Sequence, residues 1–126
     1  MSPKTIKILY WSLTILYSLA MIMDGIGGIT RQEAGKEVMT HLGYPVYALT
    51  IFGIAKICGA IGLLQMQSRS FKEWAFAGFF INYIGAFASR AFVGDEIGLL
   101  VLPLVLLAIT ILYYWLWKEF EKVRRA

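Results

Sequence analysis

An all-α integral membrane protein, four helices in one bundle, is the fold class this sequence predicts, and three observations predict it. The 126 residues are 59% hydrophobic and only 16% charged, against ~45–50% apolar and ~25% charged in ordinary soluble domains. The apolar residues fall into four nearly uncharged stretches of roughly membrane-spanning length. Short charged segments separate those stretches, so each one ends where water would begin. A mean hydropathy of +0.66 fits the same class.

Each element follows from its local sequence. Behind Lys4 and Lys7, residues Ile8 to Ile29 form helix one, interrupted by Asp24 and ending rich in glycine. The run is long for a signal peptide and no small-x-small cleavage site follows it, so it is expected to be retained. Arg31 to Thr40 mixes both charge signs, which predicts a loop outside the membrane with room for a short surface helix. Pro45 suits the first turn of helix two, because its missing N–H would be unsatisfied there anyway. Helix two spans 44–66 with Lys56 in its middle, and Gln67 to Glu73 is read as a tight polar connection. Helix three spans 74–90; the turn around Gly94, Asp95 and Glu96 leads to helix four, 97–117, with Pro103 inside it. Neither a repeat nor a linker divides the chain, so residues 1–126 read as a single membrane domain.

Basic residues are retained on the cytoplasmic side of a membrane. Lys4, Lys7, Arg69, Lys72, Lys118, Lys122, Arg124 and Arg125 put eight on one side, against three, Arg31, Lys36 and Arg90, on the other. Both termini are therefore expected in the cytoplasm, for a multi-pass protein of the inner (plasma) membrane. In that topology Trp11, Trp74, Trp115 and Trp117 fall near the inner interface and Tyr44 and Tyr47 near the outer one, where amphipathic rings are favoured.

The counts also exclude chemistry. With one cysteine, Cys58, the chain has no internal disulfide or two-thiol relay. With one histidine, His41, it cannot supply both axial ligands of a bis-histidine haem. No cluster has metal-ligand spacing and no flavin motif is present. The net charge of +4 belongs to the membrane flanks, so no nucleic-acid partner is expected.

Charges inside a span cost ~2.5–3.5 kcal/mol on insertion scales and face the bundle interior as a rule. Asp24 lies ~24 Å up helix one, Arg90 at a similar height on helix three, and Lys56 ~16 Å up helix two. An Asp24, Lys56, Arg90 cluster is therefore geometrically possible, and snorkelling of Arg90 to the outer headgroups is an equal alternative. Small residues accompany each polar one: Ala20, Gly27 and Gly28 with Asp24; Gly53, Gly59 and Ala60 with Lys56; Gly78, Gly85 and Ser89 with Asn82. Helix four offers only Thr110 and is expected as a lipid-facing wall. The expected site is a cavity among the first three helices, lined by Asp24, Lys56, Asn82 and Arg90, with His41 above it as a further ligand-binding candidate. Buried ion pairs also fix helix register without any ligand, and that reading stands beside the first.

The linear pattern resembles the DoxX-like family of small four-helix bacterial membrane proteins. The resemblance rests on His41-Leu42-Gly43-Tyr44-Pro45, the run Gly53-Ile54-Ala55-Lys56-Ile57-Cys58-Gly59-Ala60, Lys72-Glu73-Trp74 through Gly78, and Gly85-Ala86 with Ser89 and Gly94-Asp95. It covers nearly the whole chain. Arg90 departs from it where the family commonly carries histidine, so no proton-transfer role is implied there. The broader DoxX group resembles membrane subunits of thiosulfate and quinone oxidoreductases, and distant animal relatives are assembly factors. For this chain the resemblance implies an accessory subunit of a membrane redox system, binding a quinone or lipid headgroup or docking a redox partner. It has no self-contained catalytic motif. A small proton-coupled transporter, possible as a homo-oligomer, and an assembly factor without ligand are the alternatives.

Overall fold

The computed structural model describes residues 2–125, with side chains through Arg124, and every regular element among them is a helix. In chain order these are α1 (Pro3–Ile29), α2 (Glu33–Leu42), α3 (Tyr47–Leu64), α4 (Arg69–Phe92) and α5 (Ile97–Arg125). The chain is all-α with five helices among the described residues. The polar stretch after Arg31 is itself the additional helix, α2, stopped by Gly43 in the left-handed region at φ 85°. Only glycine takes that conformation without strain.

Local chemistry sets the helix ends. Ser2 caps α1 by accepting from the Thr5 N–H, with Pro3 in the first turn. Ser68 caps α4 in the same way through the Phe71 N–H. That cap starts α4 five residues before the expected Trp74, so Lys72 and Glu73 stand on a helix and not in a connection. Pro103 lies buried inside α5, where it leaves one carbonyl of the preceding turn without its helical donor.

The four longer helices close a ring in which α1 packs on α3, α3 on α4, α4 on α5 and α5 on α1, while α2 touches α3. Neighbours run antiparallel: Gly28 meets Leu49, Gly62 meets Phe71, Glu73 meets Lys118, and Tyr10 stacks on Phe120. The tightest seam joins α1 to α3. A Cβ on Gly28 would lie 2.7 Å from the Leu49 carbonyl oxygen, so glycine there lets two backbones touch.

The ring's interior is aromatic and hydroxylated, and α5 supplies much of it. Tyr113, Leu116, Trp117 and Phe120 repeat at helical spacing and are buried together with Tyr10, Phe76 and Tyr83. The Tyr17 hydroxyl stands 2.8 Å from Thr110 Oγ1 and 3.2 Å from the Tyr83 hydroxyl, while Tyr113 donates to Thr14 at 2.9 Å. Two expectations are corrected here. The last helix is more than a lipid-facing wall: its outer face is exposed and apolar, but its aromatic stripe fills the core against Tyr10 and Phe76. Trp117, expected at an interface, is 1% exposed and stacks on Phe76.

Outside the ring the surface is apolar, with Leu16, Met23, Ile81, Leu102 and Leu112 among its exposed residues. A water-soluble protein seldom presents so continuous an apolar surface. Three helices, α1, α3 and α5, are long and apolar enough to cross a membrane. With Arg69, Lys72 and Glu73 in its first turns and Asn82 further along, α4 is not one of the three.

Candidate functional site

Between α3 and α4 a groove of about 310 Å³ opens toward the outer surface of the ring. Its walls are apolar, formed by Phe52, Phe71, Trp74 and Phe79 among others, and its polar lining residues are Lys56 and Asn82. Gly78 belongs to the lining as well, and a Cβ placed on it would meet nothing within 4 Å. Small residues on α4 thus make room for an occupant here, whereas on α1 and α3 they bring backbones together.

The two polar residues differ in their state. Lys56 donates to Asp24 across the α1–α3 seam, forming an ion pair. The ammonium has three N–H donors, so the pair leaves Lys56 able to donate to an occupant of the groove. The half-buried Asn82 side chain makes no hydrogen bond within the described residues. Its amide is therefore available to donate to an acceptor bound in the groove.

The remaining expected site residues lie elsewhere. Asp24 is more than half exposed on the outside of the ring and does not line the groove. Arg90 turns away from Asp24 and donates to Asp95 Oδ2 at 3.0 Å, while His41 Nε2 lies 2.5 Å from the other oxygen of the same carboxylate. Nearby in the chain, Tyr44 of the α2–α3 connection and Ser89 of α4 share a hydrogen bond of 2.6 Å. The three-helix cavity expected to hold Asp24, Lys56, Asn82 and Arg90 is therefore corrected to an α3–α4 groove that holds Lys56 and Asn82. The reason is that Asp95, outside every span, is the nearer carboxylate for Arg90. Asp95 itself is held below the usual carboxylate range, first by the His41 hydrogen bond and then by Arg90.

Sequence reasoning missed Lys72. Counted only as a flank charge, it is 3% exposed, donates to the Tyr10 hydroxyl and lies 5.7 Å from the Trp117 ring centroid. The available signal was its spacing: Lys72 precedes buried Phe76, Phe79 and Tyr83 by four, seven and eleven residues on one helical face.

A profile of the DoxX-like family matches residues 12–113, which takes in most of α1, all of α2 to α4 and half of α5. The chain belongs to the DoxX-like family. None of the curated proteins and none of the solved structures compared with it matches. Membership agrees with the resemblance carried by residues Leu42 to Gly78, and with the three apolar helices it makes this a small membrane protein in contact with the lipid bilayer. Within this DoxX-like chain, the matched segment contains both groove residues, the Asp24–Lys56 pair and the His41, Asp95, Arg90 cluster.

Proposed function

We propose that this DoxX-like protein is a four-span protein of the bacterial plasma membrane, both termini cytoplasmic, that holds the small polar head of a quinone-like amphiphile between α3 and α4. It would serve as an accessory subunit of a membrane redox system. The observation that carries the reading is the pairing of an unpartnered amide, Asn82, with the Lys56 ammonium in an otherwise apolar groove. Both are donors, and a quinone head offers two carbonyl acceptors on a flat apolar ring. Phe52 and Phe79 supply apolar walls for the ring and tail. Asp24 acts from outside the groove by holding the Lys56 side chain in place. A bound quinone would supply two-electron, two-proton redox chemistry; the chain's own residues would bind it, orient it and exclude water.

Four spans require α4 to cross with the other three. Its place in the ring, antiparallel between α3 and α5, supports that count. The eight-to-three distribution of basic residues supports cytoplasmic termini.

Trp74 lines the groove, so its fluorescence is the reporter. In nanodiscs, decylubiquinone should quench it saturably, and Trp74→Phe should remove that component. Asn82→Leu and Gly78→Leu should weaken saturation by roughly tenfold, as loss of a buried hydrogen bond or of the space itself would do. Linear, unsaturable quenching that is the same in all variants would overturn the reading. The exposure of Asp24 favours a second one, in which the outward carboxylate marks contact with a partner membrane protein and the chain is an assembly factor. The proton-coupled transporter gains less, because the acid it would use is committed to Lys56.

A further inference from the structure

At the opposite side of α4, where the α3–α4 connection meets the last turns of α5, a second pocket of about 270 Å³ is lined by charged and polar groups. Arg69, Lys72 and Arg124 contribute three cations and Glu121 one anion, so its lining is net positive. Glu121 is engaged by Arg124 at 3.3 Å and by the Trp117 indole N–H at 3.3 Å. Among the described residues no carboxylate makes ion-pair contact with Arg69 or Lys72, and Glu121 attracts Lys72 only from a distance.

The buried Lys72 is the decisive element. A charged lysine that is 3% exposed normally has an anion beside it. Here its ammonium meets the Tyr10 hydroxyl, the Met66 sulfur at 3.3 Å, and the faces of Tyr10 and Trp117 at 5.2 and 5.7 Å. Those groups hold a cation without neutralising it. Arg69 lies over the same indole at 6.0 Å, which gathers a second cation at the same wall.

The pocket is also built to stay open. Gln65 fastens the connection through four hydrogen bonds: its oxygen accepts from the Gln67 and Ser68 N–H groups, and its nitrogen donates to the Gly62 and Ser68 carbonyls. That clamp fixes the N-terminus of α4 at the pocket, with Ser68 and Arg69 in the lining. The positive end of the α4 dipole, capped by Ser68 at the Phe71 N–H, then lies at the same pocket as the two cations.

We propose that this pocket binds a phosphate group, through Arg69, Lys72 and the start of α4. The group belongs either to an anionic lipid headgroup or to free phosphate. The site is separate from the α3–α4 groove and does not depend on what that groove holds.

The test uses the full chain in phosphatidylcholine nanodiscs, with melting followed by circular dichroism. One arm titrates inorganic phosphate against chloride at matched ionic strength, and the other replaces part of the lipid with phosphatidylglycerol. A saturable rise in melting temperature in either arm supports the site; a response to phosphatidylglycerol alone assigns it to a lipid headgroup. Arg69→Gln, an exposed position, should raise the half-saturating concentration on the order of tenfold, as loss of a charge-assisted contact does. Lys72→Met should do the same where it folds, and Arg69→Gln decides the matter where it does not. Lys122→Gln, which removes an exposed charge from the same end without touching the pocket, should leave the titration unchanged. No response in either arm, an unaltered response in Arg69→Gln, or an equal weakening in Lys122→Gln would overturn the proposal.

Discussion

Gly53 and Gly25 meet backbone to backbone: a Cβ on Gly53 would stand 2.5 Å from the Gly25 carbonyl oxygen and 3.0 Å from the Ile29 nitrogen. Neither atom can rotate aside, since both belong to α1 itself. Gly53→Ala should therefore push α1 and α3 apart and destabilise by ~1–3 kcal/mol. Gly78→Ala is the comparison, because nothing lies within 4 Å of the added carbon. That change should be neutral or stabilise by ~0.4–1 kcal/mol through the unfolded chain. Equal melting temperatures for the two variants in detergent would contradict the seam described above.

The Asp24–Lys56 pair predicts a specific pattern in a double-mutant cycle. Lys56→Met leaves the carboxylate without its partner and should destabilise, whereas adding Asp24→Asn should restore part of the loss. Coupling between touching residues runs from ~0.5 to 3 kcal/mol, and the exposure of Asp24 puts this pair toward the lower end. Additive losses would mean that the two side chains do not interact.

The outer cluster predicts a dependence on acid. Asp95 is held below its ordinary value of 3.8 by His41 and Arg90. A carboxyl depressed on folding contributes stability that is complete above its unfolded pKa and is lost as pH falls through the folded one. The contribution of Asp95 should thus be constant at neutral pH, begin to decline only below about pH 4, and be gone once the pH has fallen through the lowered folded value. Asp95→Asn should remove that part of the acid limb in a plot of melting temperature against pH. Superimposable acid limbs for the two proteins would count against the cluster.

Orientation is open to labelling once Cys58, which is exposed, has been replaced by alanine. In intact cells, a cysteine at Glu37 on α2 should react with an impermeant maleimide and one at Arg69 should not react until the membrane is opened. The reverse pattern would invert the topology.

What the sequence made legible was the part governed by cost. A charge within an apolar run must find a partner, and that reasoning joined Asp24 to Lys56 before any geometry was known. Glycines at helical spacing likewise marked the faces of α1 and α3 that touch. The direction in which α5 faces was not legible, because a helix apolar on every side has no contrast from which to read a face. Its aromatic residues are recognisable as core only when Tyr10 and Phe76 are seen against them. Arg90 was misplaced for a related reason: height along a helix fixes one coordinate, and the competing carboxylate, Asp95, stood five residues away in the chain. Lys72 escaped because a lysine near a span end satisfies the topology rule whether it meets headgroups or indole.

On the four-span reading, the modest hydropathy of α4 bears on how the protein is made. Lys72 and Glu73 stand in the first turns of α4 with little apolar length to compensate them, whereas α5 holds the most apolar span of the chain. Lys118 of α5 then neutralises Glu73 at 2.5 Å, and Trp117 covers Lys72. These contacts exist only after α5 has been synthesised. On that reading the start of α4 is fully partnered only when α5 is in place, which favours entry of the two into the membrane as a hairpin.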